Sequence, residues 1–157
     1  MTPAINLAKQ RKIQHRIHEY EHDPAAESYG LEAAEKLGVP AEQVFKTLVV
    51  SLDDGRLAVG VVPVCEMLSM KLIAKAAGAK KAAMADKALV ERSSGYVLGG
   101  VSPLGQKKKL PTYIDESAQN FATIYVSAGR RGLEIELAPA DLSALLNAKF
   151  CPLTQQA

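Results

Sequence analysis

Cysteine is scarce in this chain: Cys65 and Cys151 are the two present, far apart in sequence. So few, so placed, they outline neither a disulfide framework nor a metal knuckle and fit a reducing compartment. Long apolar runs are also missing. No segment approaches the length of uninterrupted hydrophobic sequence that spans a bilayer, and the N-terminal "MTPAINLAKQRKIQ" lacks the charged-then-apolar order of a secretion signal. The reading is a soluble, cytoplasmic protein with no membrane partner. Charge of one sign is lacking as well. A formal net charge of +2 is too weak for a protein held on nucleic acid by charge alone, so any such contact must be local or shared. Repeats, linkers and low-complexity tracts are likewise not found.

What the chain does have is apolar content. At 157 residues and 48% hydrophobic, it suffices for one domain over residues 1–157 that buries roughly two-thirds of its unfolded surface. Thr2 and Pro3 announce a first helix, with Ile5, Ala8, Ile13 and Ile17 roughly at helical spacing. "RIHEYEH" alternates like a short strand, "DPAAESYG" reads as a loop, and "LEAAEKLG" as a short helix ended by Gly38 and Pro40. "FKTLVVSL", a "DDG" turn and "RLAVGVVPV" form the clearest hairpin. Residues 69–93 read as two helices; "GYVLGG", "LPTYID", "ATIYVS" and "GLEIELA" read as short strands, with a last helix through "PADLSALLNA". Strands and helices do not alternate regularly, which favours an α+β fold with a curved mixed or antiparallel sheet.

The stretch "GGVSPLGQKKKL", Gly99 to Leu110, invites comparison with phosphate loops. Gly100 and Gly105 have the right separation, but Gln106 stands where a nucleotide-triphosphatase loop needs lysine, and Lys107 is followed by lysine rather than Ser or Thr. The dinucleotide pattern fails too, since the glycines open no evident helix. Two readings remain: a glycine-rich oxyanion or phosphate cradle, or a tight sheet-edge turn followed by solvated lysines. His15, His18 and His22 would align on a continuous helix, yet the same residues can be extended. They read better as exposed or strand-lining residues than as a zinc site. Neither cysteine has a local pattern that pairs it with a histidine as a nucleophile.

Taken together, "VFKTLVV", "ADKALVERSSGYVLGGVSPLGQKKKLPTYID" and "FATIYVSAGRRGLEIELAPADL" resemble the bacterial YbaK-type Cys-tRNA(Pro) deacylases of the prolyl-tRNA synthetase editing-domain superfamily. The likeness runs over essentially the whole chain. It implies a compact α+β fold around a mixed, partly barrel-like sheet flanked by helices. It also implies hydrolysis of mischarged tRNA(Pro) in trans, without a cofactor, and a transient ternary complex with prolyl-tRNA synthetase. The family's essential lysine falls on Lys46, where an ammonium could hold a phosphate of the terminal adenosine. Its Gly-x-x-x-Pro motif falls on Gly99, Gly100, Val101, Ser102 and Pro103, whose backbone N–H groups would face the ester carbonyl or the terminal ribose. Tyr20 and Ser127 take the family's pocket tyrosine and serine positions, and Thr47, beside the lysine, is read as a pocket hydroxyl. Glu134 stands where the family has aspartate, one methylene longer. Lys107–Lys109 would support the tRNA backbone or be solvated. With no enzyme nucleophile, the resemblance points to attack by the substrate cysteine's own thiolate, forming a cyclic thiolactone and releasing tRNA. The alternatives are a water-using deacylase for Ala-tRNA(Pro) or another small aminoacyl-tRNA, and a non-catalytic tRNA-end binding module.

Overall fold

The computed structural model describes residues 1–26 and 28–155; Glu27, within the loop read over 23–30, lies outside them. In chain order the elements are α1 (Pro3–Gln10), β1 (His15–Glu19), α2 (Tyr29–Leu37), β2 (Phe45–Leu52), β3 (Leu57–Pro63), α3 (Met70–Ala77), β4 (Ala82–Met84), α4 (Lys87–Ser94), β5 (Thr112–Asp115), β6 (Ile124–Arg130), β7 (Leu133–Leu137), α5 (Pro139–Leu146) and β8 (Lys149–Cys151), with 3-10 turns at Ala41–Gln43 and Glu116–Asn120. The class is α+β.

Local chemistry accounts for most of these boundaries. Thr2 caps α1 by accepting from Ile5 N–H, and Pro3 fills the first helical position, where its missing N–H costs nothing. The helix stops at Gln10 rather than running on through Ile13 and Ile17. Lys12 adopts a left-handed conformation (φ 54°) that turns the chain into β1, and Ile17 ends up 37% exposed on that strand. Ser28, Ser69 and Asp86 cap α2, α3 and α4 through their side chains.

The strands form two sheets. The larger has the order β4-β2-β3-β5-β8, and the smaller is an antiparallel β1-β7-β6. Within the larger, β2 pairs antiparallel with β3 and β4, whereas β3–β5 and β5–β8 are parallel. Instead of the partly barrel-like sheet expected, the two sheets meet at one bridge, Val44 to Tyr125, and among the described residues no further pairing closes them. The main core fills the space between them: Phe45, Val49, Val59, Val61 and Ile114 from one sheet meet Ile124, Val126, Ile135 and Leu137 from the other. The outer face of the larger sheet packs Val50 and Val62, together with Leu68 from the segment before α3, against Ile73 of α3. On the other side, α2 lays Ala33 and Ala34 against Val44, Val64 and Tyr125.

Three local readings need correction. "GYVLGG" is a turn, not a strand, because Tyr96 folds inward and donates its hydroxyl to Leu104 O at 2.5 Å. The strands β4 and β8 lie in segments read as interhelical loop and chain end. Each has three residues, too few to show a period of two against the background.

Candidate active site

The glycine-rich loop is held by its own apolar residues. Val101 and Leu104 are part of the main core, and Ser102 is fully buried with its hydroxyl accepting from Leu104 N–H. The lysines that follow return to α4: Lys107 and Lys108 donate their backbone N–H groups to Ser94 O and Ser93 O, at 3.0 and 2.9 Å. These carbonyls belong to the helix's last turn, where donors are needed and positive charge is favoured. A structural task for this part of the lysine run is therefore visible.

Anchored this way, the loop presents Gly99 and Val101 to a cavity of about 350 Å³, which Tyr20, Lys46, Thr47, Ser127 and Glu134 also line. Gly100, Ser102 and Pro103 do not line it. Gly100 N–H is taken by Val97 O at 3.0 Å, and Pro103 has no N–H to offer. Of the five motif residues, Gly99 and Val101 are thus the ones that line the cavity. Gly100 serves close packing, since a Cβ there would lie 2.7 Å from Arg130 Cα. Gly99, at φ +95°, takes a conformation that other residues rarely adopt.

The cavity straddles the seam between the sheets. Lys46 and Thr47 come from the start of β2, directly after the Val44–Tyr125 bridge. Ser127 and Glu134 come from the smaller sheet, where they are cross-strand partners, and Glu134 also faces His18 on β1. Tyr20 follows β1, its N–H donating to Gly132 O at 2.9 Å. A chain that separates these residues by more than a hundred positions assembles them because both sheets end at the same edge of the core.

Charge in the cavity is governed by loss of water. Glu134 is 7% exposed, and burial pushes its carboxyl from an ordinary 4.5 up to about 8. At neutral pH it is mostly a protonated acid, able to donate as well as accept. Burial, then the charges of Glu134 and Glu32, push the Tyr20 hydroxyl up to about 12. Burial also pulls Lys46 below the usual lysine range, with Cys65 and Glu66 opposing it. Thr47 Oγ1 is buried and has no hydrogen-bond partner among the described residues, so a polar ligand would meet an unmet hydroxyl there.

Other chemistry is drawn elsewhere. The three histidines do not share a helical face: Nδ1 of His15 lies 2.6 Å from Ile13 O, Nε2 of His18 lies 2.9 Å from Glu136, and Nδ1 of His22 lies 2.8 Å from Glu32. Neither cysteine lines the cavity, and burial pushes both thiols up rather than down, opposite to what an activated nucleophile needs. Sequence reasoning missed Tyr29, Leu98, Arg130 and Arg131, which also line the cavity. Their spacing carries no signal, and Arg130 and Arg131 read simply as part of a turn.

Residues 23–145 match the aminoacyl-tRNA editing domain family. A candidate Cys-tRNA(Pro)/Cys-tRNA(Cys) deacylase of Enterococcus faecalis, EbsC, is 40% identical over 156 residues, covering 98% of this chain and 93% of its own. The uncharacterized protein YwhH of Bacillus subtilis is 28% identical over 112 residues, 71% of each chain. Among solved structures, a candidate trans-editing enzyme for prolyl-tRNA synthetase superposes with a TM-score of 0.86 at 23% identity, covering 98% of this chain and 96% of that one. That likeness shows the shared fold, and the family match over residues 23–145 together with the 40% identity to EbsC places the protein: the chain belongs to the aminoacyl-tRNA editing domain family.

Proposed function

We propose that this protein is a trans-editing deacylase that removes cysteine from mischarged Cys-tRNA(Pro). The observation that carries the reading is one cavity joining a half-buried ammonium, backbone from a glycine loop, an unpartnered hydroxyl and a neutral carboxyl, with no thiol or imidazole among its lining residues. Such a site positions and polarises a substrate; it is poorly suited to attacking one.

In this reading Lys46 holds a phosphate at the terminal adenosine, and the N–H groups of Gly99 and Val101 face the ester carbonyl. Tyr20, Thr47, Ser127 and Glu134 surround the aminoacyl group. The substrate's thiolate attacks its own carbonyl carbon, a C–S bond forms, the C–O bond to the ribose breaks, and the ribose oxygen takes a proton. The cyclic thiolactone and free tRNA leave, and water later opens the thiolactone. Holding an intramolecular thiol in place supplies much of the acceleration that an enzyme nucleophile would otherwise provide. It also gives selectivity, because a substrate without the thiol cannot cyclise. A pocket sized for proline cannot strongly reject cysteine, which is why a second, hydrolytic site is useful. Prolyl-tRNA synthetase is the proposed partner, in a transient ternary complex that selects tRNA(Pro).

The test compares loss of labelled amino acid from Cys-tRNA(Pro) and Ala-tRNA(Pro), with Lys46→Ala in parallel. Cysteine release, alanine retention and an inactive lysine variant support the reading. Equal release of alanine replaces the thiol mechanism with activated water, and binding without release of either makes the protein a tRNA-end binding module.

A further inference from the structure

The outer rim of the cavity carries a second arrangement that the aminoacyl chemistry leaves unused. The Arg131 guanidinium lies over the Tyr29 ring, 3.7 Å from its centroid. Tyr29 is 42% exposed, so it remains open to solvent beside that contact. Arg131 Nε is buried without a hydrogen-bond partner among the described residues. The pair rests on Gly99: a Cβ at that position would come within 3.0 Å of Tyr29 Cε2 and 3.1 Å of Arg131 Cδ. The missing side chain of Gly99 is therefore what seats the stack. The Tyr29 ring also meets His22 in a T-shaped, edge-on contact, with centroids 6.2 Å apart. His22 is in turn fixed by Glu32, whose second oxygen accepts from Asp23 N–H at 2.8 Å.

Next to the stack, Val97 and Leu98 are 66% and 51% exposed, and Leu98 reaches the cavity. Arg130, also at the rim, is held loosely, 3.9 Å from Glu19. Lys46, Arg130 and Arg131 thus bring three cations to a cavity whose own carboxyl, Glu134, is mostly neutral at pH 7. An aromatic face, a planar cation and an apolar edge under net positive charge match an unpaired nucleotide: a base to stack and a phosphate to attract. An apolar peptide would satisfy the edge and leave the cations unanswered.

We propose that Tyr29 and Arg131 form a stacking platform for the terminal unpaired base of the acceptor strand, outside the aminoacyl pocket. The proposal rests on the deacylase reading for the identity of that strand. In it, Lys46 and the Gly99 backbone handle the reacting end, while the platform fixes the base and so sets how far the ester reaches into the cavity. Arg131 and Tyr29 are positioning residues.

A short single-stranded RNA ending in C-C-A, with 2-aminopurine as the last base, tests this without turnover, since stacking quenches its fluorescence. The wild-type protein and Tyr29→Phe should bind and quench, while Tyr29→Ala and Arg131→Lys should each bind about tenfold more weakly. A probe of the same length with an abasic 3′ end should bind all four proteins alike. Equal quenching by Tyr29→Ala, no quenching by the wild type, or the same loss with the abasic probe would each overturn the platform. The last outcome would also mark the two residues as merely supporting the fold or gripping phosphate. With Cys-tRNA(Pro), the loss in Tyr29→Ala should appear in KM. A wild-type protein that quenches the probe yet cleaves no ester keeps the platform and sinks the deacylase. One that cleaves the ester in a Lys46-dependent way without quenching does the reverse.

Discussion

Replacing Glu134 with glutamine should make the protein more stable, by an amount that grows with pH. The folded form retains the Glu134 proton up to about pH 8 whereas an ordinary glutamate loses it near 4.5. Across that interval the folded chain binds more protons than the unfolded one, so the wild type loses stability as pH rises, and the slope levels off above pH 8. Integrating the linkage between these two values gives a cost of about 1 kcal/mol at pH 5, about 3 kcal/mol at pH 7 and about 5 kcal/mol at pH 9. Glu134→Gln keeps the shape and cannot ionise, so the cost disappears. The histidine–carboxylate pairs His18–Glu136 and His22–Glu32 occur in both proteins and cancel in the difference, and Tyr20, at about 12, is silent throughout. Urea unfolding of both proteins from pH 5 to 9 should show the midpoint gap widening in favour of the variant, most steeply between pH 5 and 7. Parallel curves would refute the reasoning, because they would mean that the carboxyl is already ionised or well solvated in the folded state.

Three further outcomes follow from the site and its supports. A Cys65→Ser/Cys151→Ser double variant should deacylate Cys-tRNA(Pro) at the wild-type rate; loss of activity would reinstate an enzyme thiol. Gly100→Ala, whose Cβ meets Arg130 Cα at 2.7 Å, should destabilise more than Gly38→Ala, whose Cβ meets nothing within 4 Å. Denaturant unfolding should show about 1 kcal/mol for the second, from its positive φ alone, and at least about twice that for the first. Thr2→Ala removes both the α1 cap and the hydroxyl's bond to Ala128 O, and should cost about 2 kcal/mol in the same assay.

Sequence legibility followed local chemistry. The β2–β3 hairpin is dense in β-branched residues, and α2, α3 and α4 each end on a left-handed glycine, so all of these are visible in a short window. By contrast, Ile13 and Ile17 imitate a helix that Lys12 ends, and only the conformation of that one residue separates the two readings. The inward fold of Tyr96 depends on Leu104 and is likewise invisible to spacing. Within the site, Lys46, Tyr20, Ser127, Glu134 and the glycine motif came from the resemblance and Thr47 from its place beside Lys46, and all but Gly100, Ser102 and Pro103 line the cavity. Tyr29 and Arg131 did not come from it, since their contact spans a hundred residues and neither has an unusual neighbour in sequence. The burial that neutralises Glu134 is a tertiary property as well: the same alternating "LEIEL" places Glu136 17% exposed, hydrogen-bonded to Thr123 and His18, and held below the usual carboxylate range despite the opposing effect of burial.

The seam between the sheets makes the protein something like a caliper. One jaw carries Lys46 and Thr47 and the other Ser127 and Glu134, and the opening between them is set by the thickness of the packed layer that includes Val49, Val126 and Ile135. Dense interiors transmit small volume changes instead of absorbing them. A methylene added or removed in that layer would therefore reset the gauge of the cavity, retuning which aminoacyl group fits, while every residue that touches the substrate stays the same.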